Sequence, residues 1–305
     1  MKPFWITGLV PATFTPMHED SSLNLAPVGP TVDRLVEQGV SAIFTCGSTG
    51  ESASLTTAER QATLEAFVTA AAGRLPVIAH VGHTSLADAR ALASHAQQVG
   101  AAAIAALPPF YVKPGSVKVL VDCMAEIASA APDLPFYYYH IPGLTGVNLD
   151  MVDFLRQGSQ RIPTLVGIKY SSPTLYELQA CVAFDGGRFN ILFGVDEMLL
   201  SGLAAGAHGA VGSTFNFAAP LYQQIMAAFA AGDLATAQRL QLLSAQMVLK
   251  VVGSYRPLPG LKAILGFAGP SYGPARLPQV ALSPAEIDSL RADMAELGFL
   301  EWVQR

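Results

Sequence analysis

Short apolar runs, rich in β-branched and aromatic residues, recur along the chain with amphipathic stretches between them. The runs predict strands near Thr7–Phe14, Ala42–Thr45, Pro76–His80, Ala102–Ala106, Phe136–His140, Thr164–Lys169, Ile191–Gly194 and Gly209–Gly212. They are continuous rather than alternating, the pattern of parallel strands covered on both faces. Helical periodicity fills the intervals at Val28–Gln38, Thr57–Ala72, Ser85–Val99, Ser116–Ala130, Leu149–Gln157, Thr174–Phe184, Met198–Ala205 and Ala218–Ala231. Eight strand–helix units within about 230 residues predict an α/β fold, a (β/α)8 TIM barrel. A doubly wound sheet would want a phosphate-binding glycine turn after its first strand. Here that strand runs into Thr13-Phe14-Thr15-Pro16 instead.

Beyond the last strand–helix unit the pattern is helical. Leu282-Ser283-Pro284-Ala285-Glu286-Ile287 carries a capping serine, a first-turn proline and a glutamate that closes a capping box. Pro257, Pro259 and Gly260 break the preceding helix. No Gly/Ser/Pro-rich linker separates the parts. The expectation is a barrel over 1–230 and a C-terminal helical extension over 231–305, packed on it as one structural unit.

Composition narrows the function classes. With 305 residues, 51 % of them hydrophobic, the chain can bury one large core. Eighteen Lys+Arg against 23 Asp+Glu give a net charge of −5, without the basic stripe a duplex nucleic-acid binder needs. No basic cluster suggests an anionic membrane surface. Between Glu197 and Asp233 no charged residue occurs, which resembles a membrane span. That stretch carries Gly202, Gly206, Gly209, Gly212, Ser213, Asn216, Pro220 and Gln223-Gln224, whereas a lipid-exposed helix needs about 20 predominantly apolar residues. A buried helix–strand–helix is the expectation. Met1-Lys2-Pro3-Phe4-Trp5 lacks the apolar block of a secretory signal. Cys46, Cys123 and Cys181 are odd in number and without a CxxC pair, so neither a disulfide framework nor a zinc ribbon is indicated. A soluble cytoplasmic protein is expected, acting on a small molecule, with no nucleic-acid or membrane partner.

In a barrel the active site is built at the C-terminal ends of the strands. Strand two ends in Gly47-Ser48-Thr49-Gly50-Glu51 and strand five in Tyr137-Tyr138-Tyr139-His140. Strand six ends in Gly167-Ile168-Lys169-Tyr170-Ser171, strand seven in Gly194-Val195-Asp196-Glu197 and strand eight in Gly212-Ser213-Thr214. Of the six lysines only Lys169 terminates an apolar strand. A lysine turned into a barrel loses water, which disfavours the ammonium form, and the free amine is what attacks a carbonyl to make a Schiff base. The alternatives are a carboxylate-paired structural lysine or one that snorkels to solvent.

Strand alternation puts Tyr137 and Tyr139 on one face, Tyr138 and His140 on the other. A lumenal Tyr139 is either a proton relay or core packing. The turn Gly47-Ser48-Thr49-Gly50 offers two hydroxyls and unpaired N–H groups to a carboxylate, or simply caps the next helix. Asp196-Glu197 would bind a polyol or cap a helix. His80-x-x-His83 invites a metal check, but no acidic ligand accompanies the pair and His140 faces away, so no metal site is expected.

Together, Gly47-Ser48-Thr49-Gly50-Glu51, Tyr138-Tyr139-His140-Ile141-Pro142, Gly167-Ile168-Lys169 and Gly212-Ser213-Thr214 resemble the dihydrodipicolinate synthase/N-acetylneuraminate lyase superfamily, in order and spacing, over Phe4 to Ala268. Synthases usually carry an arginine just after the Tyr-x-x-Pro segment to grip a second carboxylate. Here Pro142-Gly143-Leu144-Thr145-Gly146 has leucine there, which resembles the lyase branch, as do Ala79-His80-Val81-Gly82 and Phe193-Gly194-Val195-Asp196-Glu197. His140 stands where many members have Asn, and Ser171 where many have Thr.

The resemblance implies a Schiff-base (class I) aldolase, without a cofactor, that reversibly cleaves N-acetylneuraminate to N-acetylmannosamine and pyruvate. It implies that Ser48 and Thr49 bind the keto-acid carboxylate, that Lys169 attacks C2, and that Tyr139 moves the C4-hydroxyl proton. Ser171 would follow the lysine into the site, and Gly194, Asp196, Glu197 and Ser213 would hold the polyol and N-acetyl end. Relatives form homotetramers, so Tyr111 would reach a neighbouring subunit's site. Three alternatives stay open at this point: a pyruvate-dependent aldolase for another 2-keto-3-deoxy sugar acid, a dihydrodipicolinate synthase-like condensation, and a non-catalytic keto-acid sensor.

Overall fold

The computed structural model describes residues 4–303. Met1, Lys2 and Pro3, on which the expectation of no leader rests, lie outside the described residues, as do positions 304 and 305. Eight strands form one sheet: β1 (Gly8–Pro11), β2 (Ile43–Thr45), β3 (Val77–His80), β4 (Ala103–Ala106), β5 (Phe136–His140), β6 (Leu165–Tyr170), β7 (Asn190–Phe193) and β8 (Gly209–Gly212). Each pairs in parallel with its sequence neighbour from β2 to β8, and β8 pairs with β1. The ring closes between β1 and β2 through the Ala12–Phe44 bridge and the bonds from Ser41 N to Leu9 O (2.8 Å) and Thr13 N to Phe44 O (2.9 Å). The expected (β/α)8 barrel is the fold.

The helices are α1 (Val28–Glu37), α2 (Thr57–Ala71), α3 (Leu86–Gln98), α4 (Val117–Ala128), α5 (Pro142–Thr145), α6 (Met151–Arg161) and α7 (Leu175–Ala183). They continue with α8 (Leu199–Ala204), α9 (Phe215–Ala230), α10 (Leu234–Ser254), α11 (Pro257–Ala268), α12 (Pro284–Glu296) and α13 (Leu300–Val303). Their starts are written in the sequence. Thr56 caps α2 and Ser283 caps α12 through complete capping boxes with Glu59 and Glu286, and Ser85, Ser116 and Asp150 cap α3, α4 and α6.

Proline chemistry shapes two boundaries, one that differs from expectation and one that follows it. α9 starts three residues early, at Phe215, and because Pro220 has no N–H to donate it carries a kink at Ala218 (φ −136°). Pro257 and Pro259 end α10 and at the same time begin α11, because first-turn positions need no intrahelical N–H.

Strand alternation sorts side chains into two buried layers. Val10, Ala12, Ala42, Phe44, Ile78, Ala103, Ala105, Tyr137, Tyr139, Leu192 and Val211 fill the barrel interior. Ile43, Val77, Ile104, Phe136, Tyr138 and Ile168 pack outward under the helices. Ala12, Ala42, Ala103 and Ala105 leave interior space for the three large rings of Phe44, Tyr137 and Tyr139. Tyr137 is a structural plug, donating to Asn190 Oδ1 (2.6 Å), which also accepts from Ile6 N (3.0 Å). Tyr139, one repeat higher, sits level with Lys169 across the β5–β6 pair.

The C-terminal helices pack against α9, with α10 along it and α11 beside α12 and α13. A buried ion pair ties them to the upper rim of the barrel. Lys262 of α11 donates to Glu51 Oε1 at 2.9 Å and to Pro274 O at 2.9 Å. The other Glu51 oxygen accepts from Arg276 N at 2.7 Å, and the Arg276 guanidinium reaches Ser54 O and both oxygens of Glu59. Glu51 itself holds a left-handed backbone (φ 59°), a strained conformation that this pairing retains.

Breaking a buried pair on one side leaves a charge without compensation. Lys262→Ala is therefore expected to lower the unfolding free energy by roughly 3–5 kcal/mol in a urea titration. Lys262→Met combined with Glu51→Gln should recover most of that loss. An unchanged transition midpoint in the single variant would show that the pair does not hold the extension in place.

Candidate active site

A cavity of about 390 Å³ opens at the C-terminal ends of the strands. Ser48, Thr49, Tyr139, Lys169, Ser171, Gly194, Asp196 and Ser213 all line it. β6 ends at Tyr170, so Lys169 points inward from the last inward position of that strand, and it is 4 % exposed. Its Nζ lies 4.0 Å from the centroid of the Phe44 ring and 4.0 Å from that of Tyr139. Among the described residues no carboxylate lies within ion-pair distance of this nitrogen, which separates it from Lys262. The structural, carboxylate-paired alternative is thereby excluded for Lys169, and so is snorkelling. The two flanking rings stand edge to face, 5.7 Å apart.

The Tyr139 phenol reaches Ser48 Oγ at 3.3 Å, and Thr49 Oγ1 lies 2.6 Å from Ser213 Oγ, joining the β2 and β8 loops. Asn216 holds the β8 loop by donating from one amide nitrogen to Ala12 O and Ser213 O, each at 2.7 Å. In the turn after β2, Glu51 N and Ser52 N donate back to Ser48 O and Gly47 O. Among the described residues the N–H groups of Ser48, Thr49 and Gly50 have no protein acceptor. Three unsatisfied donors beside two hydroxyls form a concavity suited to a carboxylate.

Asp196 is a cavity carboxylate rather than a helix cap. Its Oδ2 accepts from Thr214 N (2.8 Å) and Thr214 Oγ1 (2.7 Å), while burial pushes its acid equilibrium upward. Two glycines make room. A Cβ at Gly212 would lie 2.1 Å from Asp196 Oδ1, and one at Gly194 would lie 2.0 Å from Ser171 Oγ. Glu197 is the exception among the expected polyol ligands: it does not line the cavity, although burial also pushes its acid equilibrium upward. Tyr111 is 88 % exposed and stands instead in an adjoining hollow of about 520 Å³ that shares Ser48, Leu144, Leu258 and Gln279 with the first.

His80 is not poised as a ligand. Its Nδ1 lies 2.8 Å from Cys46 O and its Nε2 receives Leu107 N at 3.4 Å, and burial together with Arg60 keeps it neutral. Among the described residues no group of three or more His, Cys, Asp and Glu side chains is arranged for a metal ion.

Several lining residues were invisible to motif reading. Pro257, Leu258, Leu261 and Gln279 come from the C-terminal extension and roof the cavity, and no local signal marks them. Phe44 was legible only as a β-strand aromatic. Lys169 is the single basic residue among those that line the cavity, and Leu144 lines it as well.

A closed (β/α)8 barrel with a buried, unpaired lysine beside a tyrosine at its upper end defines a lysine-centred barrel enzyme. The chain belongs to the Dihydrodipicolinate synthetase family, whose model matches residues 5–297. It is 43 % identical to the N-acetylneuraminate lyase of Pongo abelii, over 97 % of this chain and 94 % of that one. A solved N-acetylneuraminate lyase (sialic acid aldolase) from Aliivibrio salmonicida superposes with a TM-score of 0.94 at 37 % identity, covering 97 % of this chain and 98 % of the other. The sialic acid aldolase of Ruminococcus gnavus, solved as a catalytic lysine mutant, superposes with a TM-score of 0.91 at 27 % identity over 97 % and 96 %.

On the outer side of β5, His140 is fully buried between Tyr138 and Tyr170, and neither ring nitrogen has a partner. Burial pushes its imidazole down to about 4, so it is neutral in the folded protein where the unfolded chain, near 6.5, takes up a proton. Stability contributed by the neutral ring is complete above the unfolded value and is lost as pH falls from 6.5 towards 4. The expected cost between pH 7 and pH 5 is about 2 kcal/mol. His140→Asn should flatten the fall in unfolding free energy over that interval by this amount, leaving the slope from His80, His208 and the carboxylates. Parallel pH profiles for the two proteins would contradict the assignment.

Proposed function

We propose that this protein is a Schiff-base aldolase that reversibly cleaves N-acetylneuraminate to N-acetylmannosamine and pyruvate. The observation that carries this is the Lys169 amine, enclosed in the cavity between two aromatic faces with no carboxylate paired to it. The family supports it, and so do relatives named for this reaction at about 40 % identity across nearly the whole chain.

The open-chain keto acid enters with its carboxylate at Ser48, Thr49 and the free N–H groups of their turn. Lys169 attacks the C2 carbonyl, and loss of water gives an iminium. That iminium accepts the electron pair when the C3–C4 bond breaks. Tyr139, hydrogen-bonded to Ser48, takes the proton from the C4 hydroxyl as N-acetylmannosamine leaves. The resulting enamine is protonated at C3, and hydrolysis releases pyruvate and restores the amine. Gly194, Asp196 and Ser213 hold the polyol end, with Ser171 beside the lysine.

A substrate with one carboxylate is favoured over a dicarboxylic aldehyde, because Leu144 offers no cation to a second anion. The enzyme works as a homotetramer in the cytoplasm, with Tyr111 reaching a neighbouring subunit's site, in keeping with its high exposure here. No helix among the described residues is long and apolar enough to cross a membrane.

Borohydride reduction in the presence of pyruvate is expected to add the mass of reduced pyruvate to Lys169. Lys169→Ala should abolish the adduct, while Tyr139→Phe should form it normally yet cleave N-acetylneuraminate at least about 100-fold more slowly, the usual scale for losing a proton-transfer group. Failure of the unmodified enzyme to form the adduct would falsify the mechanism. Faster cleavage of 2-keto-3-deoxygluconate than of N-acetylneuraminate would reassign the substrate and leave the chemistry intact.

A further inference from the structure

Behind Asp196 runs a file of buried hydroxyls that the mechanism above does not use. Thr214 Oγ1 lies 2.7 Å from Asp196 Oδ2 and 2.6 Å from Tyr222 Oη, and Tyr222 Oη lies 2.7 Å from Ser244 Oγ. Thr214, Tyr222 and Ser244 are at most 1 % exposed, so water does not substitute for any member. The file crosses three elements: the segment after β7, the kinked helix α9 and the first C-terminal helix, α10. That last helix also grips the Asp196 backbone, for Gln241 donates to Asp196 O at 3.3 Å while accepting from Leu200 N at 2.8 Å.

The direction of the protons follows from counting them. Each hydroxyl has one proton to donate. Thr214 Oγ1 is placed to donate both to Asp196 Oδ2 and to Tyr222 Oη, but it has one proton; with Asp196 ionised and acceptor-only that proton goes to Oδ2, and the Tyr222 and Ser244 hydroxyls turn theirs to Thr214 and Tyr222. All three donors then point towards the carboxylate, and each bond polarises the next, the arrangement that most strengthens a charge-assisted terminal bond. The file offsets the desolvation that Asp196 suffers in its buried position. It also fixes the carboxylate against Gly212, where there is no Cβ to displace it.

We infer that Tyr222 and Ser244 are positioning residues that act on the sugar end of the substrate by holding Asp196 as an oriented anion through Thr214. This rests on the proposed role of Asp196 as a polyol acceptor, and it makes the first C-terminal helix a determinant of sugar binding although it contributes no residue to the cavity wall. The carboxylate end of the substrate and the lysine are served by β2, β5 and β6, which meet the file only where Ser213, next to Thr214, contacts Thr49.

The test separates the two ends of the substrate. Tyr222→Phe keeps the ring and removes the hydroxyl, and Ser244→Ala removes the last donor. The expectation for Tyr222→Phe is a roughly 10-fold rise in KM for N-acetylneuraminate, with kcat changed less than about 3-fold and borohydride trapping of pyruvate unchanged. Ser244→Ala should raise KM by roughly 3-fold in the native background and have no effect in the Tyr222→Phe background, because a file in series transmits nothing past a missing member. Two additive effects, or an equal fall in pyruvate trapping, would show that these residues only support the packing of α9 and α10. Unchanged KM in Tyr222→Phe would also overturn the inference.

A readout without substrate guards against a wrong sugar. The Asp196 carboxyl, followed by 13C NMR with aspartate labelling, should titrate at higher pH in Tyr222→Phe than in the native enzyme. The charged groups that bear on it, Lys169 and Glu197, are the same in both. Absence of that displacement would refute the inference whatever the substrate, whereas absence of pyruvate trapping in the native enzyme would refute the proposed function alone.

Discussion

A primary amine placed between the faces of Phe44 and Tyr139, with no carboxylate against it, is the constraint on which the remainder of this molecule depends. An isolated lysine in an apolar interior is expensive, and most proteins avoid it or pair it. This chain pairs one buried lysine and leaves another unpaired. Lys262, which is as buried as Lys169, is matched by Glu51 and a backbone carbonyl, and it fastens the C-terminal helices to the barrel rim. Lys169 is enclosed but opens onto a cavity. The difference between the two is that Lys262 is spent in an ion pair and Lys169 is not.

The barrel supplies what such an amine needs. Closure of β1 against β2 leaves no sheet edge to which water has access. Ala12, Ala42, Ala103 and Ala105 give the rings of Phe44, Tyr137 and Tyr139 room inside, so the lumen is filled below the lysine and open above it. In-register pairing of β5 and β6 brings Tyr139 and Lys169 to one height. Around them the loops divide the work: the turn after β2 presents unsatisfied donors, and the segments after β7 and β8 present a carboxylate and hydroxyls. The charge arrangement suits a substrate with one anionic end and one hydroxylated end.

The architecture and the heart of the site were legible in the order of residues. Continuous apolar runs marked all eight strands, because parallel strands covered on both faces admit few polar residues. Lys169 stood out since a charged residue closing such a run violates that pattern, and alternation along β5 separated Tyr139 from Tyr138 and His140. Capping chemistry fixed helix starts to within a residue at Thr56, Ser85, Ser116 and Ser283. Pro257 marked the end of a helix as expected and also starts the next, whereas Pro220 bends α9 rather than bounding it.

What the amino-acid sequence determined by itself was periodicity, and with it the barrel, the inward faces of its strands and the residues at their ends. Periodicity is local: it follows from the pleat of a strand and the pitch of a helix. The tertiary structure alone decided which distant side chains meet. Glu51 with Lys262, Thr49 with Ser213, and the file from Ser244 to Asp196 join positions that nothing in the intervening chain relates. It also decided that Glu197 stays out of the cavity while its neighbour Asp196 enters, and that Leu258 and Gln279 roof it. Those outcomes depend on how helices cross and where loops land after the sheet closes, and a contact made by folding leaves no repeat in the sequence to be read.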